Sequence, residues 1–210
     1  MVDKVRVQRA MTDFSINGIR GSGTYADGIH LCRGTRRGTV RGIRVDAVGD
    51  DAIALVGITS ENAGATTWQP MTDITIADFV VNSLTTLGSG VVVIGASRIN
   101  VGNGTIKSPK ANGVYVSDSP GLGAPAPSNV IVSGVNVETA GTGSGFLIGP
   151  SNDVTITGCS SLDAGDSGVA LVGSTRTYIT SSKFRGSVGF GIYEASGTSN
   201  AITACDIGGN

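Results

Sequence analysis

The sequence predicts an all-β fold in which short strands stack into a solenoid, and three observations support this. Glycine makes up 33 of the 210 residues, about twice its usual share of ~7%. Valine and isoleucine together number 41, whereas leucine numbers 8 and glutamate plus lysine number 7. This balance favours strands over helices. The third observation is an internal repeat too short for a helix.

The repeat is a short motif consisting of a small residue, then glycine or alanine, then three or four mostly apolar residues. The glycine or alanine falls at positions 28, 52, 90, 113, 145, 168 and 191, which gives intervals of 24, 38, 23, 32, 23 and 23 residues. Between motifs, apolar residues alternate and then skip a step, as at Val130, Val132, Val135 and Val137. Each repeat of about 23 residues therefore holds three short strands joined by turns. Stacked repeats bury a continuous core, and the chain has room for about eight coils.

The two long intervals predict loop insertions at 57–71 and 118–128. Both follow the motif strand, so they leave the same edge of the stack, as does the turn at 33–38 of the first coil. Loops on a rigid scaffold are where binding residues are usually found. We expect residues 1–210 to form one domain, which is a fragment of a longer chain because no amphipathic segment is present to cap either end of the stack.

Composition excludes several classes of function. The net charge of −1 provides no basic surface for nucleic acid, and no apolar run approaches the ~18 residues of a membrane span. The N-terminus has no signal-peptide segment, and three cysteines do not make a disulfide framework. No cofactor is expected.

Three aspartates fall where neighbouring coils meet. Asp27 and Asp51 each directly precede the motif position, so they stack on adjacent coils, and Asp50 lies beside them. Repulsion among three carboxylates raises the pKa of at least one of them. A proton donor beside an ionised base is what glycosidic bond cleavage requires.

The repeat resembles a right-handed parallel β-helix of the pectin-lyase-like class over essentially the whole chain. The aspartates further resemble the polygalacturonase family of glycoside hydrolases and the related phage tailspike depolymerases. That family carries Asn-Thr-Asp-Gly, Gly-Asp-Asp, Gly-His-Gly and Arg-Ile-Lys. The corresponding segments here are Tyr25-Ala26-Asp27-Gly28, Gly49-Asp50-Asp51, Gly88-Ser89-Gly90 and Thr105-Ile106-Lys107. Ser89 and Thr105 stand where the family has histidine and arginine.

The resemblance implies inverting hydrolysis of a polysaccharide. It gives Asp50 the role of general acid, has Asp27 and Asp51 activate the water, and places Lys107 and Ser89 at the substrate. It also implies an extracellular or virion-associated protein, with a homotrimer or flanking domains covering the open coil ends.

Other residues have both a binding interpretation and a structural one. The arginines of the first turn either bind an acidic sugar or form a solvated charged turn; they are Arg33, Arg36 and Arg37. Trp68 either stacks on a sugar ring or pins the long insertion to the rod. His30 is either a spare base or a surface histidine.

Three alternatives to a hydrolase stay open. The chain could be a non-catalytic shaft or adhesin segment of a phage tail or cell-surface protein. It could be a polysaccharide lyase or epimerase, with Lys107 or the arginine turn neutralising the sugar carboxylate. The aspartates could also be structural or bind Ca²⁺, which favours clustered carboxylates. Gly165-Asp166-Ser167 repeats the Gly-Asp turn without a second carboxylate, as Gly and Asp both favour turns.

Overall fold

A computed structural model describes residues 5–7, 12–17, 20–23, 27–32, 34–57, 68–82 and 87–209. These residues form a parallel β-helix with two sheets, because strands that recur once per coil pair with their equivalents in the next coil. The predicted all-β solenoid is confirmed. Among the described residues no helix is long and apolar enough to cross a membrane.

The first sheet, called here the narrow sheet, has eight short parallel strands. They are β1 (Val5–Val7), β4 (Ile29–Leu31), β6 (Ile53–Val56), β8 (Val91–Ile94), β10 (Val114–Ser117), β12 (Phe146–Ile148), β15 (Val169–Val172) and β18 (Ile192–Ala195).

The second sheet, called the wide sheet, has twelve strands. Its main path comprises β2 (Thr12–Asn17), β5 (Arg36–Val48), β7 (Met71–Asn82), β9 (Ala96–Lys107), β11 (Ser128–Glu138), β13 (Asn152–Thr157), β16 (Thr175–Thr180) and β19 (Ala201–Thr203). Beside it lie β3 (Arg20–Gly23), β14 (Ser160–Leu162), β17 (Lys183–Arg185) and β20 (Asp206–Gly208).

The predicted pair of strands between motifs takes two forms. In β5, β7, β9 and β11 the pair runs on as one strand of 11 to 13 residues. In later coils it separates, as in β13 and β14. The bends have left-handed backbone, and they recur in register at Asp78, Asn103 and Gly134. Aspartate, asparagine and glycine tolerate this conformation best.

Columns of apolar side chains fill the interior. Ile53, Val91 and Val114 follow one another in register and are fully buried. Phe146 and Phe184 meet edge to face with ring centroids 6.1 Å apart. The core is thus one continuous stack of β-branched and aromatic residues, which accounts for the excess of valine and isoleucine over leucine.

The motif glycine is explained by close packing at the coil corner. A Cβ atom at Gly113 would lie 2.4 Å from the carbonyl oxygen of Gly145 and from a methyl group of Val137. The corner at Gly113 therefore has no room for a Cβ atom, whereas the equivalent position in an earlier coil is Ala52.

The structure describes the second predicted insertion in full and the first only at its ends. Residues 58–67 of the predicted 57–71 insertion lie outside the described residues. In the 118–128 segment a 3-10 turn runs over Pro120–Leu122, closed by a bridge between Ser119 and Ala124. Cys32, Cys159 and Cys205 are free thiols.

Candidate functional site

A ladder of hydrogen bonds runs along the corner that precedes the narrow sheet. Asp27 Oδ1 accepts from the backbone N–H of Asp51 at 3.2 Å, and Asp51 Oδ1 accepts from the N–H of Ser89 at 2.7 Å. The ladder continues as Ser89 Oγ accepts from Asn112 N–H, and Asn112 Oδ1 accepts from Ser144 N–H. Four successive coils therefore each present a short acceptor side chain to the next coil.

This corner ladder brings the three predicted aspartates together. One carboxylate oxygen from each of Asp27, Asp50 and Asp51 lies within 4.8 Å of the others. Asp50 is exposed, and the other two are partly buried. We call these three residues the aspartate cluster.

The cluster holds one carboxyl group with a pKa near neutrality. Burial, followed by repulsion from Asp27 and Asp50, raises the pKa of Asp51 to about 7, against the lowering effect of the Ser89 N–H bond. Burial and Asp27 also raise the pKa of Asp50. An arrangement of this kind can offer a protonated and an ionised carboxyl group side by side.

His30 is buried rather than on the surface, so the interpretation of an ordinary surface histidine is wrong. Its side chain is only 6% exposed, and Nδ1 lies 2.7 Å from Asp27 Oδ2. The residue alternates outward in β4, but its contact with Asp27, three residues back, holds it against the corner. His30 therefore contacts one of the three members of the aspartate cluster.

Ser89 and Lys107 lie in different surroundings. Ser89 is buried and is part of the corner ladder, where its N–H group holds Asp51. Lys107 ends β9, two coils beyond the coil of Asp50 and Asp51, and its Nζ lies 3.5 Å from Glu138 Oε2. At ~4.8 Å per coil, Lys107 is about two coil rises away from the cluster along the rod.

The arginine turn is only partly described. Arg33 lies outside the described residues. Arg36 and Arg37 are exposed at the start of β5, and the charge of Arg37 acts on Asp73 of the next coil. These arginines therefore lie by the wide sheet, whereas the aspartate cluster lies by the narrow sheet.

Trp68 is packed onto the rod. Its half-buried ring lies against the outer face of the narrow sheet, next to Val56 and Val92. A Cβ at Gly95 would lie 2.3 Å from the ring, so the absence of a side chain there makes room for it. This contact is expected if Trp68 anchors the long insertion to the β-helix.

The aspartate cluster also has the donor chemistry of a metal site. Carboxylate oxygens are hard ligands that suit Ca²⁺, and three of them converge here. Asp27, Asp50 and Asp51 are the described residues that could hold such an ion.

A groove on the outer face of the wide sheet was not predicted from the sequence. A cavity of about 390 Å³ is lined by Asp73, Thr75, Arg98, Asn100, Asn129 and Ile131. It adjoins a second cavity of about 180 Å³, lined by Asn129, Ile131, Asp153, Thr155 and Tyr178. We call the two together the wide-sheet groove. The sequence indicates this groove only through two spacings, from Asp73 to Arg98 and from Asp153 to Arg176. Each spacing is close to one repeat.

Comparison with known families agrees with the architecture. The family described as "Right handed beta helix region" matches residues 89–210, more than half of the chain. The chain belongs to this right-handed β-helix family. No curated protein sequence matches the chain significantly.

Solved structures with the same fold include two that were solved with bound oligosaccharides. The tailspike protein of E. coli bacteriophage HK620, solved with a pentasaccharide, has 15% identity and a TM-score of 0.55, over 92% of this chain and 41% of that one. The catalytic domain of a GH87 alpha-1,3-glucanase, solved with tetrasaccharides, has 13% identity and a TM-score of 0.50, over 91% and 42%. The A-module of the Azotobacter vinelandii mannuronan C-5 epimerase AlgE6 has 10% identity and a TM-score of 0.51, over 95% and 64%. The chain thus spans less than two thirds of each of these proteins, and the likeness is one of fold.

Proposed function

We propose that this chain binds a polysaccharide along the rod and hydrolyses it at the aspartate cluster. The observation that carries the proposal is the convergence of Asp27, Asp50 and Asp51 within 4.8 Å, with the pKa of Asp51 raised to about 7. Hydrolysis of a glycosidic bond needs an acid for the leaving oxygen and a base for the water or a nucleophile. The fold shared with a glucanase and a tailspike supports a polysaccharide as substrate.

The roles within the cluster follow from burial. The resemblance to polygalacturonases gives the general acid to Asp50. Asp51 is the more buried of the two, and its pKa is raised to about 7. We therefore assign the role of general acid to Asp51 and the activation of water to Asp50. Asp27 has a supporting role, because it accepts a hydrogen bond from the Asp51 N–H group and contacts His30.

The stereochemical outcome depends on carboxyl separation. Inverting enzymes usually keep their carboxyl groups roughly 6.5–9.5 Å apart, and retaining enzymes about 5–5.5 Å apart. The cluster oxygens lie within 4.8 Å, which is nearer to the retaining range. Inversion stays a prediction, and proton NMR of the first-formed anomer distinguishes the two outcomes.

The experiment measures release of reducing ends from a panel of neutral and acidic bacterial and plant polysaccharides. Asp50→Asn and Asp51→Asn should each lose activity by at least ~10²-fold, since general acid–base groups contribute that much. Asp51→Asn is structurally conservative because Asn112 occupies the same ladder position and accepts the same type of N–H bond. Unchanged activity in both variants would refute the proposal.

A matched control and a metal test accompany these variants. Asp166→Asn removes a carboxylate from the equivalent turn four coils along and should leave activity at the wild-type level. Treatment with EDTA should also leave hydrolysis intact. If EDTA abolishes activity and Ca²⁺ restores it, the aspartates are metal ligands instead of the acid and base.

The corner ladder supports a second candidate, a non-catalytic shaft or adhesin segment. Asp27 and Asp51 each use one oxygen to hold the next coil, as Ser89 and Asn112 do. A purely structural cluster gives no product with any polysaccharide, and Asp51→Asn then changes only stability.

Lyase or epimerase chemistry is the third candidate. It needs a cation beside the sugar carboxylate, and Lys107 already pairs with Glu138. Ultraviolet absorbance of an unsaturated product identifies a lyase, and NMR of the sugar C5 proton identifies an epimerase.

We also propose an extracellular or virion-associated setting, with a homotrimer or flanking domains. A bacteriophage tailspike protein shares the fold, which supports this setting. Light scattering of the purified chain tests the homotrimer.

A further inference from the structure

We propose that the wide-sheet groove is a second saccharide-binding site, and that it takes an uncharged oligosaccharide. It lies on the sheet opposite to the one that borders the aspartate cluster, so it is separate from the hydrolytic site proposed above. The shape of the groove, its two exposed apolar side chains and its balanced charges support this assignment.

The groove runs along the rod. Its floor consists of residues that are in register on five successive coils: Thr75, Asn100, Ile131, Thr155 and Tyr178. Four steps of ~4.8 Å give a length of about 19 Å. A narrow groove of this length fits an extended chain of several sugar rings better than a compact metabolite.

Two floor residues expose apolar surface where the rest of the floor is polar. Ile131 is 44% exposed and Tyr178 is 45% exposed, and they lie two coils apart. Sugar rings have apolar C–H faces as well as hydroxyl edges. A tyrosine ring offers a rigid, amphipathic surface for such a face at little cost in side-chain entropy.

Ion pairs border the groove and fix its polar groups in place. Arg98 donates to both oxygens of Asp73 at 2.5 and 2.8 Å, and Arg176 donates to both oxygens of Asp153 at 2.6 and 2.8 Å. The bond from Arg98 lowers the pKa of Asp73 to about 2, so this pair stays charged at neutral pH.

Between the two ion pairs, amide groups face solvent. Asn100 and Asn129 are exposed, and within the described part of the chain their side chains make no hydrogen bond. An amide both donates and accepts, which matches sugar hydroxyl groups. Because Arg98 and Arg176 are each already paired with a carboxylate, neither offers an unpaired cation to a polyanion. These features together point to an uncharged saccharide.

The test uses the full-length chain carrying Asp51→Asn, so that binding is measured without cleavage and independently of the proposed hydrolysis. The probes are cello-, malto-, laminari- and manno-oligosaccharides long enough to span the ~19 Å groove, with oligogalacturonides as the charged comparison. Isothermal titration calorimetry should detect binding of at least one neutral probe and weaker binding of the oligogalacturonides.

Variants locate the site of binding. Tyr178→Ala should weaken the affinity by about tenfold, equivalent to ~1.4 kcal/mol. Asn129→Gly should weaken it as well, and it removes the amide at a position whose φ of 54° suits glycine. The matched control is Tyr193→Ala, which removes a tyrosine of similar exposure, 41%, from the narrow sheet and should leave the affinity unchanged.

Three results would overturn the inference. The first is no binding of any neutral probe at millimolar concentration. The second is binding that neither Tyr178→Ala nor Asn129→Gly weakens more than Tyr193→Ala does. The third is binding of oligogalacturonides that is tighter than that of every neutral probe and lost in Tyr178→Ala, which would establish the groove as an anion site.

Discussion

Two turns of the rod have nearly the same sequence but different chemistry. Residues 49–57 and 165–173 both begin with Gly-Asp and lead into a strand of the narrow sheet. In the first turn Asp51 stacks on Asp27, whereas in the second Ser167 follows Ser144 and is almost fully buried. The fold therefore does not need a charge at this corner. The convergence of Asp50 and Asp51 of the first turn with Asp27 of the preceding coil is an addition that the β-helix itself does not require.

The largest expected effect is a difference in hydrolytic activity between variants of the two turns. Asp51→Asn should lower hydrolysis by at least ~10²-fold, and Asp166→Asn should not change it. Assay of reducing ends from the polysaccharide that wild-type protein cleaves best provides the measurement. Equal losses in both variants would mean that the first turn has no special chemical role.

The second prediction concerns the pH dependence of stability. The pKa of Asp51 is about 7 in the folded chain, against an ordinary value of 3.8, so folding favours the protonated form. Stability from this group is fully present below about pH 4 and is lost as pH rises towards about 7, at a rate of up to ~1.4 kcal/mol per pH unit. Urea unfolding should show wild-type protein losing stability relative to Asp51→Asn over this range. Parallel curves for the two proteins would contradict the raised pKa.

The third prediction uses the motif position, which is alanine in the first turn and glycine in the second. A Cβ at Gly168 would lie 2.5 Å from the carbonyl oxygen of Gly191 and 2.7 Å from Phe184 Cβ. Gly168→Ala should therefore cost about 1–3 kcal/mol of unfolding free energy, whereas Ala52→Gly should cost about 1 kcal/mol or less. A Gly168→Ala variant with an unchanged urea midpoint would show that the second corner is as open as the first.

The smallest effect is expected within the corner ladder. Asn112→Ala removes the acceptor of the Ser144 N–H bond of 3.0 Å and should cost about 1 kcal/mol. Asn112→Asp keeps that acceptor and should cost less than Asn112→Ala. If both variants are equally unstable in urea, the side-chain hydrogen bond does not stabilise this corner.

Much of the aspartate cluster was predictable because it depends on the repeat. Once the period of about 23 residues is known, Asp27 and Asp51 must lie on neighbouring coils, since parallel strands stack equivalent positions. The burial of His30 was not predictable, because strand alternation placed it outward. Its contact with Asp27 depends on how the corner packs, which a period does not specify.

The wide-sheet groove was not found from the sequence because its residues are individually ordinary. Asparagine, threonine and a single exposed tyrosine are typical of any solvated strand. They become a site only when five coils place Thr75, Ile131 and Tyr178 in one line. A shallow groove is a property of that alignment and of the exposed side chains around it.

The sequence by itself determined the solenoid, its apolar lining and the stacking of Asp27 on Asp51, because each follows from spacing along the chain. The tertiary structure decided the burial that raises the pKa of Asp51, the pairing of His30 with Asp27 and the groove beside Tyr178. Spacing fixes which residues are neighbours. Solvent exclusion and side-chain direction depend on everything packed around them, and they set the chemistry that those neighbours can perform.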